Sequence, residues 1–206
     1  VLAALLVIGL IAAQSYGERR SRIEHEKDTL SRMAQIVAVE MSEMLDKLRF
    51  FFKAADLWLS AHPAADPRFD RGFARLVDEY RAASRGAVDI RLASDSGGLF
   101  FIPSASTVPL ADVGDRSYFL AQRSAATRGF YVAEPVLSRV TGKWGIPISY
   151  PLSTRNAGVS VIFAALEVPT SEELFERVRP KPGGSSSLLR RAGRFLVRLP
   201  CDAAYM

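Results

Sequence analysis

From Leu30 onward the apolar residues Met33, Val37, Met41, Met44, Leu48, Phe52, Ala55 and Leu59 recur at steps of three and four. That spacing returns side chains to one face of a 3.6-residue helix and predicts one long amphipathic helix. Upstream, VLAALLVIGLIAA over 1–13 is an unbroken apolar run, and the helix is expected to continue out of it. Downstream, Asp66 and Pro67 suit a helix cap and first turn, and Phe69, Phe73, Leu76, Val77 and Tyr80 then repeat on one face up to Gly86. This predicts a second, shorter helix.

Beyond Gly86 the period becomes two. Val88, Ile90 and Leu92 alternate with Asp89 and Arg91 as in a strand, and Asp95-Ser96-Gly97-Gly98 turns the chain into a second strand over 99–102. An irregular stretch with Pro103 and Pro109 follows, after which Asp115 is placed to cap a short helix over 116–126. Three more strand-like runs cover 129–138, 144–152 and 159–168, separated by turns at 141–143 and 155–158. Consecutive hairpins imply antiparallel pairing. The expected fold class is therefore α+β, a long N-terminal helix plus a PAS-like five-stranded antiparallel sheet with flanking helices. Residues 171–178 read as an exit helix, RPKPGG over 179–184 as a linker, and 186–190 with 194–199 as a hairpin around Gly193. Two strands alone cannot bury a sheet face, so that hairpin is expected to begin an incomplete second module.

Composition narrows the function classes. Of 206 residues, 49% are hydrophobic and 24% charged, enough to bury a core and to exclude disorder for most of the chain. The lone Cys201 with His25 and His62 provides neither a disulfide pair nor a metal-ligand cluster, so no metal or cofactor is expected. A single cysteine leaves the redox compartment open. The net charge is +5, but the 27 Lys and Arg are dispersed among 22 Asp and Glu without a long basic run, which argues against nucleic acid.

The 13 apolar residues over 1–13 fall short of the roughly 20 that span a bilayer, and are expected to be the remainder of a truncated transmembrane helix. A signal peptide cleaved near Ala12-Ala13-Gln14-Ser15 stands beside that reading, and continuous helix argues against it. Arg19, Arg20 and Arg22 would draw this flank toward the cytosol, so charge alone leaves the orientation open. The expected organisation is a truncated transmembrane helix over 1–15, a stalk helix over 16–60, a PAS-like module over 61–180 and the start of a second module over 181–206.

DRSYF at 115–119 and GFYVAEPVLSRVTGKWGIPISYPL at 129–152 resemble the double Cache sensor domains of bacterial receptors, in particular those of diguanylate cyclases and histidine kinases. The resemblance covers about residues 30–199, and SSSLLRRAGRFLVRLP at 185–200 resembles the opening of the second, membrane-proximal module. It implies an extracytoplasmic domain held at the cytoplasmic membrane by its N-terminal helix and working as a homodimer. It also implies a C-terminal output domain, whether cyclase, kinase or chemotaxis signalling domain. The chain itself carries no GxSxG, Walker or HExxH motif, and it is not expected to be an enzyme.

The same resemblance implies a ligand pocket between the sheet and the short helix with its preceding loop, with Arg116 binding the ligand carboxylate. A planar guanidinium suits that task because it offers two parallel donors and keeps its charge when partly buried. A purely structural role, pairing Arg116 with Asp112 or Asp115, competes with this. Tyr118, Tyr131, Arg139 and Trp144 are the further candidate ligand-binding residues, while Phe119 is expected in the core and Lys143 on a solvated hairpin tip. Amino-acid-binding relatives carry Trp after the arginine and a later Asp that holds the ligand ammonium. Here Tyr118 replaces that Trp, and 153–160 offers Asn156 but no carboxylate. A buried ammonium without a partner is costly, so a small organic acid is expected. The rival reading is a ligand-free dimerisation or spacer module, or a receptor for a partner protein, with the apolar helix seam as the working surface. That seam serves equally as a coiled-coil face or as the stripe that packs on the following domain.

Overall fold

The computed structural model describes residues 2–84, 88–167, 186–189 and 195–199. It divides into two compact units, Val1–Met44 and Leu45–Met206. Helix α1 runs Leu2–Ala61, and the stripe read from its spacing is its buried face, since Val37, Met41, Leu48, Phe52, Ala55 and Leu59 are all at most 7% exposed. Among the described residues no helix is long and apolar enough to cross a membrane.

Helix α2 spans Arg71–Ala83 and begins later than Asp66-Pro67 suggested. The cap is Asp70, whose Oδ1 accepts from the N–H of Gly72 at 2.8 Å and of Phe73 at 2.9 Å. Asp66 is engaged elsewhere. Its carboxylate takes the Arg68 guanidinium through two bonds of 2.9 and 2.7 Å, and its carbonyl accepts from Phe69 and Asp70 in a preceding turn. Phe69 thus falls outside the helix and is exposed, while Phe73 and Val77 are buried.

The main sheet is antiparallel throughout. It comprises β1 (Val88–Ser94), β2 (Gly98–Phe100), β3 (Ala111–Asp112), β4 (Tyr131–Val132), β5 (Val136–Leu137), β6 (Trp144–Pro151) and β7 (Val159–Glu167). The strand order is β3-β2-β1-β7-β6-β4, with β5 also paired to β6. Two features depart from the expected five strands. The run over 129–138 is two short pieces on the same side of β6, interrupted at Ala133–Pro135, where proline has no N–H to donate to a ladder. The stretch read as irregular contains β3, which pairs Gly98 with Asp112 and Leu99 with Ala111. Helix α3 covers Ser117–Arg123 and stops short of the expected 126.

Both faces of the sheet are covered, which is why the fold needs two apolar clusters. On one face Leu48, Phe52, Ala55 and Leu59 of α1 and Phe73 and Val77 of α2 pack on Val88, Ile90, Leu92, Ile148, Ile162 and Ala164. On the other, Tyr118 and Phe119 of α3 pack with Ala93, Leu99, Val113, Ala133, Val161 and Phe163. The side-chain alternation of β1 and β7 sorts residues between the two. A further hairpin pairs β8 (Ser186–Leu189) with β9 (Phe195–Leu199) in antiparallel register. The expected exit helix at 171–178, the linker at 179–184 and the turn at Gly193 lie outside the described residues.

Candidate functional site

The α3 face of the sheet carries the site. Helix α3 is too short to be stable alone, and buried polar groups fix it in place. Gln122 Nε2 donates to the Gly129 carbonyl and to Ser149 Oγ, both at 2.8 Å, its Oε1 accepts from Gly129 N–H at 3.0 Å, and Ser149 Oγ donates to the Tyr118 carbonyl at 2.7 Å. Arg116 occupies the N-cap position with no side-chain capping bond, so its guanidinium is available beyond the helix. The loop before α3 is pressed onto the β1–β2 turn. A Cβ on Gly97, whose φ is +89°, would lie 2.6 Å from Gly114 Cα and N, so glycine is required there.

Between α3, the β5–β6 hairpin and the sheet lies a small cleft of about 40 Å³. Arg116, Tyr118, Arg139 and Trp144 line it, together with Lys143 and with Arg91 from β1, and no Asp or Glu does so among the described residues. Leu99, Val113, Val136, Phe163 and Ala165 supply apolar wall. Arg116 is half-buried and donates through Nη2 to the Leu137 carbonyl at 3.1 Å. No carboxylate pairs with it among the described residues.

Asp115, expected as the α3 cap or as a partner of Arg116, does neither. Its two oxygens accept from Arg139 Nη1 and Nη2 at 2.7 Å each, and Arg139 Nη1 also donates to the Asp112 carbonyl. This fork ties the hairpin tip to the loop before α3. The hydrogen bond from Arg139 holds the Asp115 carboxyl below its usual range, and the same bond raises Arg139. Asp112 turns its carboxylate back onto the Gly114 N–H at 2.7 Å. Burial pushes the Tyr118 phenol up, against the opposing pull of Arg116, Arg91 and Arg139.

Two placements differ from the sequence reading, those of Tyr131 and Asn156. Tyr131 is half-buried, packs beside the Tyr118–Phe163 cluster and is not part of the cleft lining. Phe119 is in the core as expected, and Tyr118 is buried in the same apolar cluster while also lining the cleft. Asn156 is 5% exposed and donates to the carbonyls of Leu59 and His62 at 3.2 and 2.8 Å, so it secures the end of α1 and is not placed to meet a ligand. The residue that sequence reasoning passed over is Arg91. The alternation in β1 already put it on the face opposite Ile90, but it was not among the candidate ligand-binding residues.

The strand order, the long helix and the arginine-lined cleft can be compared with known structures. The ligand-binding domain of the Pseudomonas fluorescens chemoreceptor CtaA, in complex with L-valine, superposes with a TM-score of 0.63 at 21% identity, covering 88% of this chain and 78% of that one. The chain has the fold of a Cache/PDC-type sensor domain. The same Cache fold is shared by the ligand-binding domain of the Campylobacter jejuni chemoreceptor Tlp3 with 4-methylisoleucine, at TM-score 0.56 and 14% identity over 84% of this chain and 70% of that one. It is shared too by the extracellular domain of rpHK1S-Z16, assigned as a histidine kinase, at TM-score 0.51 and 24% identity over 78% and 68% of the two chains. No family model and no curated protein matches the sequence. The CtaA and Tlp3 domains are both described as ligand-binding domains.

Proposed function

We propose that this chain is the extracytoplasmic sensing domain of a transmembrane signal-transduction receptor and that its ligand is a small organic acid. The observation that carries the reading is the lining of the cleft, which among the described residues includes Arg91, Arg116, Arg139 and Lys143 but no acidic residue. The fold relatives CtaA and Tlp3 hold L-valine and 4-methylisoleucine, ligands with a carboxylate, which supports a carboxylate-bearing ligand here. Their ammonium is best met by a carboxylate, which the cleft side chains among the described residues do not supply, so the amine-free acid is favoured. Arg116 is the carboxylate clamp. Tyr118 and Trp144 form walls, and Arg139 shapes the mouth through its fork with Asp115.

On this reading the apolar run over 1–13 anchors the domain at the cytoplasmic membrane, the receptor acts as a homodimer, and a cyclase, kinase or chemotaxis output domain receives the signal. A thermal-shift screen of the full chain in detergent against small carboxylates and amino acids tests it. At a ligand concentration 100 times Kd, binding stabilises by about 2.7 kcal/mol, roughly 5–10 °C for a domain of this size. Carboxylate hits that vanish in Arg116→Ala while the variant stays folded are expected. Silence from folded wild type would turn the reading to a ligand-free dimerisation or spacer module, or to a partner-protein receptor.

A further inference from the structure

Arg91 is the least expected residue in the cleft. It lies on β1, in the middle of the sheet, and only 5% of it is exposed. A guanidinium does not lose its charge at any ordinary pH, so its burial requires compensation by anions or hydrogen-bond acceptors. The compensation present is partial. Arg91 Nε and Nη2 both approach a single oxygen, Oδ2 of Asp89, at 2.7 Å, and the guanidinium lies 5.0 Å from the Phe101 ring centroid. The other Asp89 oxygen, Oδ1, is turned toward Arg81 at 3.6 Å. One carboxylate is thus shared between two guanidiniums, where a bracing pair would match two oxygens to two donors. The remaining edge of Arg91 has no acceptor among the described residues.

Arg91 and Arg116 belong to one cleft, and the wall they share with it includes the apolar Leu99, Val113, Phe163 and Ala165. Tyr118 and Arg139 line the same cleft as these two guanidiniums. Arg139 is neutralised by Asp115, while Arg116 has only a backbone carbonyl. Arg116 without a carboxylate and Arg91 with only a shared one border the same cleft, which suits two anions joined by carbon. We propose that Arg91 is a second anion-binding residue of this cleft and that the ligand is a compact dicarboxylate, one carboxylate on Arg116 and the other on Arg91. This rests on the organic-acid reading above and adds the number and placement of the acid groups.

The test compares succinate with butyrate, which has the same carbon chain and one carboxylate, by calorimetric titration of the full chain in detergent. Wild type is expected to bind succinate roughly 10- to 100-fold more tightly, the size of a charge-assisted pair. Arg91→Gln should bring succinate to the butyrate level and leave butyrate unchanged, whereas Arg116→Ala should weaken both. If Arg91→Gln does not fold, the double variant Asp89→Asn/Arg91→Gln, which removes the buried pair as a unit, gives the same ratio. Equal wild-type affinities for the two acids would overturn the dicarboxylate while leaving the organic-acid reading intact. An unchanged ratio in a folded Arg91 variant would assign Arg91 to bracing β1. No binding of either acid would overturn both readings.

Discussion

Gln122→Leu is the substitution that most directly asks whether the cleft depends on buried polar contacts. Gln122 is 6% exposed and makes three hydrogen bonds, two from Nε2 and one to Oε1, at 2.8, 2.8 and 3.0 Å. Leucine fills similar volume but makes none of them. At about 1 kcal/mol net per bond, with the Gly129 peptide left unsatisfied on both sides, the loss is ~3 kcal/mol. For a protein of this length that is roughly a 6–12 °C fall in Tm. Ser149→Ala removes the donor to the Tyr118 carbonyl and one Gln122 partner, for ~1–2 kcal/mol. The two share one bond, so the double variant should fall short of additivity by about 1 kcal/mol. Because α3 begins directly after Arg116, carboxylate binding should weaken in Gln122→Leu. Thermal unfolding followed by circular dichroism measures all three variants. A Gln122→Leu protein within ~0.5 kcal/mol of wild type, or full additivity with Ser149→Ala, would refute the claim that this network holds α3.

Gly97→Ala should cost at least ~2 kcal/mol and disturb ligand binding, because its Cβ meets Gly114 at 2.6 Å and its φ is +89°; a Tm within 2 °C of wild type, roughly, would contradict this. Asp56 accepts from Ser153 N and Oγ at 2.7 Å each, so Asp56→Ala should lose ~2–4 kcal/mol in chemical denaturation. The Asp115 carboxyl is depressed below 3.8 by Arg139, so its stabilisation is complete above 3.8 and is lost as pH falls through the lower folded value. The stability gap between wild type and Asp115→Asn should therefore shrink only on the acid side of 3.8, and a gap independent of pH there would remove the argument. Burial raises the Tyr80 phenol to about 12, so its contribution is intact below 10.0 and disappears as pH rises through 12; an alkaline ultraviolet titration should show late-ionising tyrosines, Tyr118 being raised as well, and lose one of them in Tyr80→Phe.

Much of this architecture was legible because periodicity reports burial. The three-and-four spacing of Val37, Leu48, Phe52 and Leu59 and the alternation of Val88, Ile90 and Leu92 both named core residues correctly. Local chemistry was less legible where two residues could do the same job. Asp66 and Asp70 are both competent caps, and the choice was settled by Arg68, two residues from Asp66, which took its carboxylate. Contacts distant in sequence were not legible at all. Nothing near Asp115 indicates that its partner is Arg139 on the β5–β6 hairpin, or that Asn156 would meet the carbonyls of Leu59 and His62. The passing over of Arg91 has a more specific cause. Alternation assigns a residue to a sheet face but does not say which position on that face lies beneath a helix. Here α3 covers that face, and the polar position becomes the floor of a cleft.

The same two-sided construction bears on how an occupied cleft would be felt by α1. Strand β6 carries Trp144, Gly145 and Pro147 in the cleft, and the turn after it places Ser153 on Asp56 of α1. Strand β7 follows Asn156, which holds the end of α1, and delivers Phe163 and Ala165 to the cleft. Both strands therefore join the two ends without a flexible segment, and Leu48, Phe52, Ala55 and Leu59 pack on the opposite sheet face with no measurable exposure. Close-packed interiors transmit small displacements because they cannot compress to absorb them. A ligand that drew Arg116 and the β5–β6 hairpin together would have to differ in affinity between open and closed arrangements by the free energy it delivers to that helix. The proposed dicarboxylate would supply such a difference if its two charge contacts, on Arg116 before α3 and on Arg91 of β1, could be made together only after that movement.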